Sequence, residues 1–520
     1  MRNRNQSGSA VFVALGIFLS RIFGFIRDRT LAHYLGSSPA AGCFRAALRI
    51  PNLLQNLFGE GALSASFIPV YSKLLSEGKE KEAKEMASTV FSILVILVFI
   101  LCSLGVAFSE PLTLFLAPGF ADNDKLLTIR LVRIMFPGAG FLVLSAWCLG
   151  VLNSHRSFFL PYVAPVIWNL AIIFALVFFG RQMVPAERLV EFVAYGTVVG
   201  SILQLAIQMP TAFRLNLRSL FSWKLQDTSI RKVFHNFPPT LVSRGVVQIS
   251  AYLDQVLSSF LGASMVAAIA YAQTIALLPI SLFGISIATS ELSEMSRVLG
   301  EKEARNQVLR QRIESAYSKI SYFVIPSSIA FILVGGCLIT LILQTGRFTS
   351  NDTLVVWMVL AAYGVGSLAS TYSRLSSSTF WALHDTRTPL KCSLCRVAVN
   401  VSLGLLVVSK RDSIPAAYSG AALALMSSIG GWLEFWVLQH LLKKEIGHFS
   451  WLNRQSALCF AAATISGLIA LLVSQLGGQT LVVSVFALTL YGALYLGFTT
   501  LLKIEESKMV LKSIQRRFKK

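Results

Sequence analysis

The chain has 520 residues, 54% of them hydrophobic and 14% charged. A soluble globular protein carries about 25% charged residues, so the composition excludes an ordinary water-soluble fold and indicates an all-α polytopic membrane protein. The formal net charge is +21; no soluble stretch is long enough to form a nucleic-acid-binding face, so this excess reads as the Lys and Arg of cytoplasmic loops.

The first apolar run, up to Ser20, is followed by Arg21 rather than by a small-residue cleavage site. It therefore reads as the retained start of a first helix, not as a signal peptide. A helical span needs roughly 20 mostly apolar residues, and about fourteen such segments follow one another. They are expected at 9–35, 39–72, 87–115, 127–152, 158–180, 188–212, 233–261, 264–293, 316–344, 354–382, 389–409, 414–441, 453–474 and 479–502. The connections alternate in charge. "FRLNLRSLFSWKLQDTSIRK" (213–232), "RVLGEKEARNQVLRQRIESAYSK" (297–319), "HLLKKEIGH" and the tail "KSIQRRFKK" are basic. "LGSSPAAG", "APGFADND", "QTGRFTSND" and "QLGGQT" are poor in positive charge, and "SKRDS" (409–413) is the exception. The positive-inside rule then puts both termini in the cytoplasm, in keeping with an even number of spans.

An internal repeat runs through the pattern. Asp28 precedes Gly36 by eight residues, and Asp254 precedes Gly262 by the same distance. "LNSHRSFFLPYVAPVIWN" (152–169) and "LHDTRTPLKCSLCRVAVN" (383–400) form a second pair, with Arg156 opposite Arg387. The offsets of 226 and 231 residues imply two parallel six-span repeats related by an axis along the membrane normal. The organisation read from this is a first lobe at 1–222, a second at 223–445, and two further helices with a basic tail at 446–520.

The first span carries the chemistry. Counting from Val11 at 1.5 Å per residue, Arg21 falls about 15 Å into its helix. An arginine near the midplane costs about 2.5–3.5 kcal/mol. Arg27, Asp28 and Arg29 lie nearer the outer boundary, and Arg21 and Asp28 share a helix face. One explanation is an internal ion-pair ladder. The other is a water-filled cavity that binds an anion. The neighbours favour the second: Arg45 and Arg49 on the second span and Arg244 on the seventh stand against Asp28, Glu60 and Asp254. Arginine's planar fork matches phosphate oxygens, so the cavity reads as one for a phosphate or diphosphate. Gly24 and the Gly59–Gly61 "GEG" are candidate bending points, and Pro51, Pro69, Pro279 and Pro389 mark kinks or ends.

Several chemistries find no support. No G-x-x-x-x-G-K-[ST] occurs, the six histidines form no ligand cluster, and Cys392 and Cys395 make a lone C-x-x-C inside an apolar span. No nucleophile and base converge. Transport without a bound cofactor is the reading that remains. A net positive site crossing the whole field would feel roughly 2.3 kcal/mol per charge per 100 mV; coupling to membrane potential, to protons or to sodium is left open by the residues.

Seven strings then resemble one family: "SRIFGFIRD" (20–28), "RIPNLLQNLFGEGALSASFIPVY" (49–71), "LAPGF" (116–120), "GVLNSHRSFFLPYVAPVIWN" (150–169), "LDQVLSSFLG" (253–262), "LPISLFGISIATSELSEMSR" (278–297) and "FWALHDTRTPLK" (380–391). The chain is similar, in order and over nearly its whole length, to the MurJ or MviN flippases of the MOP exporter superfamily. The resemblance implies two lobes around a central cavity that opens to each side in turn, and a groove on the last two helices for a polyprenyl tail. It implies a bacterial inner-membrane protein that moves lipid II, the undecaprenyl-diphosphate-linked disaccharide-pentapeptide, outward for cell-wall synthesis. Other cell-wall synthesis proteins are partners expected from the pathway alone.

Carried over by position, Arg21 is the expected diphosphate ligand. Arg27 assists it or closes an outer gate with Asp28. Asn52 and Glu60 match the second-helix motif, with Glu60 a gate residue. The chain departs from the family at Gly42, where an acidic residue is usual, at Gln55, and at Thr274 and Leu277, where a cation and an acid are expected. Arg244 is the candidate replacement for the missing eighth-helix cation. Two alternatives stay open at this stage: a flippase for another polyprenyl-diphosphate glycan, and a cation-coupled multidrug antiporter, which the cationic cavity disfavours.

Overall fold

A computed structural model describes residues 2–216, 228–298, 301–476 and 480–518; some side chains within these ranges, including Gly59–Ala62 and 238–247, also lie outside the described set. Every expected span is helical. In chain order the helices are α1 (Arg2–Leu35), α2 (Pro39–Leu54), α3 (Ser64–Ser76), α4 (Glu80–Ala107), α5 (Ser109–Leu116), α6 (Asp122–Ser154), α7 (Phe159–Gly180), α8 (Ala186–Asn216) and α9 (Thr228–Ser259). There follow α10 (Ala263–Pro279), α11 (Ser286–Met295), α12 (Lys302–Leu333), α13 (Gly335–Ile342), α14 (Ser350–Ala382), α15 (Arg387–Ser409) and α16 (Ala416–Ile446). The last three are α17 (Arg454–Leu476), α18 (Leu481–Leu501) and α19 (Glu505–Phe518). Two π-helical segments, Gln55–Leu63 and Ile280–Ile285, join α2 to α3 and α10 to α11.

Among the described residues, eleven helical stretches are long and apolar enough to cross a membrane. The candidate site charges lie on three of the expected spans, α1, α2–α3 and α9. Chain contacts divide the molecule into two compact units, residues 1–267 and 268–520. All three charged spans belong to the first.

The repeat is visible element by element. In each copy the second span is broken by a π segment, the third is followed by an eight-residue helix (α5, α13), and the fourth ends in the same turn. Gly36 (φ 60°) and Gly262 (φ 93°) terminate α1 and α9 in the left-handed conformation, which costs glycine nothing. The turns after α6 and α14 also match: the amides of Ser157 and Asp385 bond back to the carbonyls of Leu152 and Phe380, past Arg156 and His384 at φ 61° and 63°. In this register Pro161 is equivalent to Pro389, 228 residues on, each the third residue of its helix. The pairing of Arg156 with Arg387 is therefore out by three residues. The π segments share the triplet Leu-Phe-Gly, at 57–59 and 282–284. They replace the bending expected at Gly24, through which α1 runs unbroken.

Packing follows membrane rules, with small residues and hydroxyls at helix contacts. The first unit's core gathers Phe67, Tyr71, Phe91 and Trp147. The second packs Tyr317, Tyr372 and Phe435 edge-on or tilted, with Ser321 bonded to Tyr372 (2.6 Å) and Ser456 (2.8 Å). Tyr491 and Tyr495 of α18 donate to the carbonyls of Pro326 (2.6 Å) and Tyr322 (2.7 Å), fastening the last helix pair to α12. Outside the spans, Asp385 caps α15 by accepting from the amides of Arg387 (2.9 Å) and Thr388 (3.0 Å). Bonding from Thr388 holds its carboxyl below the usual range.

Gly42 explains one departure from the family. A Cβ at this position would lie 1.8 Å from the carbonyl oxygen of Ala263, so no side chain fits, acidic or otherwise. Gly24 faces open space, with nothing within 4 Å of a Cβ. Gly42→Leu is expected to destabilise the purified protein by about 1–3 kcal/mol or more, read as a lowered thermal midpoint in detergent. Gly24→Ala, the control, leaves the midpoint unchanged or raises it.

Candidate functional site

The charged spans meet around Asp28. Its Oδ1 accepts from Arg27 Nε (3.1 Å) and Nη2 (2.9 Å), and forms an ion pair with Arg45 Nη2 at 3.0 Å. The side chains of Asp28, Arg45 and Arg27 are 7%, 12% and 17% exposed. At that burial the pairing decides whether the charges can exist there at all, because a lone buried charge is far costlier than a bridged one. Two cations thus meet at one carboxylate oxygen.

Each partner comes from a different helix. α1 and α7 run parallel. Gly16 sits on Tyr162, Arg27 beside Asn169, and Gly180 against the Tyr34 ring. A Cβ on Gly16 would lie 2.6 Å from that of Tyr162, so the glycine sets the close approach. Arg27 Nη1 donates to Asn169 Oδ1 at 3.1 Å, and its guanidinium lies 5.3 Å over the Trp168 ring. α2 supplies Arg45, and one turn on it supplies Arg49, which turns to α9: Nη1 donates to the carbonyl of Ala251 (2.6 Å), and Tyr252 donates back to the carbonyl of Arg49 (3.2 Å). Asp28, Arg45 and Arg49 thus tie α1, α2 and α9 together within one unit.

The remaining expected residues are more dispersed. Arg21 is exposed on α1. Asn52 is half-buried, just before the π segment, and Asp254 is half-buried one turn past Ala251. Glu60 lies in the π segment and Arg244 in α9, but their side chains fall outside the described residues. Thr274, where a cation is usual, donates to its own helix at Ala270 (3.0 Å), and Leu277 is 53% exposed. Neither needs a charged neighbour.

The sequence reading missed two things. One is the α7 pair Trp168–Asn169, which entered only as the end of a repeat string. The other is a charged cluster in the second unit. Glu434 on α16, 5% exposed, accepts from Ser393 (2.6 Å) and Arg396 (3.1 Å) on α15, close to Arg374 on α14. The signal was present in "TYSRLSSS", "SLCRVAVN" and "GGWLEFWV" (371–378, 393–400 and 430–437): single charges inside apolar runs, which are functional candidates by default.

Comparison with known proteins gives concordant matches. A family model described as lipid II flippase MurJ matches residues 31–492. A protein of Rhizobium tropici named as a probable lipid II flippase MurJ is 30% identical over 461 residues, covering 86% of this chain and 83% of its own length. One from Buchnera aphidicola, of the same name, is 29% identical and covers 83% of each. Among solved structures, a lipid II flippase MurJ in an inward closed conformation superposes with a TM-score of 0.76 at 25% identity, over 95% of this chain and 98% of that one. An inward-facing MATE-family multidrug transporter of the MOP superfamily shares the fold at TM-score 0.61 and 17% identity, over 84% of this chain and 98% of that one.

Removing the shared anion exposes the cost of the cluster. Asp28→Ala is expected to destabilise the protein by about 3–5 kcal/mol, since two buried guanidinium groups lose their counter-charge. Adding Arg45→Met should return part of that loss. Thermal midpoints of the single and double variants test it; equal midpoints for the two would show that Arg45 does not depend on Asp28.

Proposed function

The chain belongs to the MurJ family of lipid II flippases, and from that membership we propose how its charged spans carry out the transport. The family activity is translocation of a lipid-linked peptidoglycan precursor across a membrane, a transport function rather than an enzymatic one. The MOP fold alone does not separate lipid flipping from drug export, because the MATE relative has it too; the family match separates them.

In our reading the undecaprenyl-diphosphate headgroup is the ligand of the arginines on α1 and α2. One observation supports it most: Arg27 and Arg45, from two helices, lie nearly buried against the same oxygen of Asp28. Burying such groups is a cost the chain carries, and a diphosphate is the ligand whose charge and oxygen geometry return it. Arg21, exposed on α1, is the primary ligand. Arg27 and Arg45 are fixed by Asp28 and supply the surrounding positive field; Arg49 and Asn52 extend it along α2. Glu60 and Asp254 serve as gate or coupling residues. Arg244 supplies the cation absent at Thr274.

Alternating access then moves the headgroup from the inner to the outer leaflet, with both termini cytoplasmic, the polyprenyl tail lying along α17–α18, and the repeats at 1–222 and 223–445 as the moving lobes. Release on the outer side leaves a net positive site to return empty, which the membrane potential resists or assists by its sign.

Complementation tests the reading. A bacterium depleted of its own flippase and expressing this chain should expose lipid II to an externally added lipid II-cleaving toxin. Arg21→Ala should abolish the cleavage product, and Arg244→Ala should reduce it strongly. Full activity of Arg244→Ala beside a dead Arg21→Ala would remove Arg244 from the site. Cleavage that survives Arg21→Ala would remove the diphosphate assignment.

A further inference from the structure

Arg27 is held in a way that charge neutralisation alone does not explain. Asp28 already compensates it through Nε and Nη2. Two neutral groups on α7 are added. Asn169, 4% exposed, accepts from Nη1 at 3.1 Å. Its amide is itself locked, because Nδ2 donates to the carbonyl of Pro165 at 3.0 Å. Only one orientation gives both bonds, so the oxygen must face the arginine. Trp168, the preceding residue, offers its ring face to the guanidinium at 5.3 Å. Its backbone is backed by α8 at Gly200, where a Cβ would lie 2.9 Å from the Trp168 carbonyl oxygen. The buried indole N–H makes no hydrogen bond among the described residues, so the ring face is what the position uses.

A guanidinium has five N–H donors. Asp28 and Asn169 engage Nε and one hydrogen on each Nη, and the ring fixes the plane. One N–H on each Nη is left for a ligand among the described residues. A carboxylate at position 169 would hold Arg27 more strongly, but would place a second negative charge against it beside that of Asp28. A neutral acceptor and a ring fix the geometry and spare the charge.

We propose that Asn169 and Trp168 are positioning residues that orient Arg27 so that its free N–H edge meets the diphosphate of the transported lipid. The inference rests on the flippase reading above. It assigns α7 a part in substrate recognition although neither residue is charged.

The test is binding of undecaprenyl diphosphate to the full-length protein in nanodiscs, by native mass spectrometry or a fluorescent competitor, with the thermal midpoint measured for each variant. Asn169→Asp should weaken binding by at least about tenfold, since it restrains Arg27 and cancels its charge; losing the bond to Pro165 should lower the midpoint no more than in Asn169→Ala. Trp168→Phe, which keeps a smaller ring face and lacks the unused N–H, should bind close to wild type, whereas Trp168→Leu should bind weakly. Asn169→Ala controls for a fold-level effect of the aspartate, and should also bind weakly. Wild-type affinity in Asn169→Asp and Asn169→Ala would overturn the positioning role alone. Affinity losses that track the midpoint across all four variants would reduce the pair to packing and overturn it too. If the wild type itself fails to bind the diphosphate lipid, the flippase reading of the arginines falls, and this inference with it.

Discussion

A single carboxylate makes the charged half of this protein possible. Asp28 lets two arginines from two helices sit nearly out of contact with water, within hydrogen-bonding distance of one oxygen. Without it, α1 and α2 would each bring a buried cation to the same place, and the desolvation cost would not be met. With it, both guanidinium groups are held charged where α1 and α2 meet. Arg49 is likewise anchored across helices, its guanidinium donating to a main-chain carbonyl of α9.

The surrounding helices are built to bring these groups close. Glycine contacts at Gly16, Gly42, Gly180 and Gly200 remove side chains where α1, α2, α7 and α8 meet their neighbours. In a bilayer such approaches are the main source of helix association, since lipid tails are as apolar as leucine. The second span of each repeat then departs from regular helix at the same Leu-Phe-Gly triplet. π-helical turns are rare and recur at functional positions. Pro51 and Pro279 precede the two segments, each removing a backbone donor that a regular helix would have used.

Much of this was legible in the sequence because membrane spans leave few choices. The succession of helices, the repeated element order and the charged first helix all follow from hydropathy and from charges placed where lipid should be. Gly36 and Gly262 were readable as a pair, since both end a helix in a conformation that suits glycine. The register of the other repeat pair was not. Matching Arg156 to Arg387 aligned residue types, while the backbone aligns the prolines and the turns before them. Gly42 looked like a lost acid until its contact with Ala263 showed that the backbone leaves no room. Asn169 and Trp168 were invisible as site residues because nothing in a neutral pair signals which cation it faces; that depends on α7 lying parallel to α1, a tertiary fact. The Glu434 cluster was readable as isolated charges and was passed over among stronger signals.

The central claim is that the arginines around Asp28 exist to meet a diphosphate. A structure of the protein with undecaprenyl diphosphate bound tests it most directly. The account predicts the diphosphate against Arg21 and the free edge of Arg27, with the Arg27–Asp28–Arg45 pairing kept. A diphosphate seated elsewhere, with Arg21 and Arg27 making no contact to it, would contradict the account.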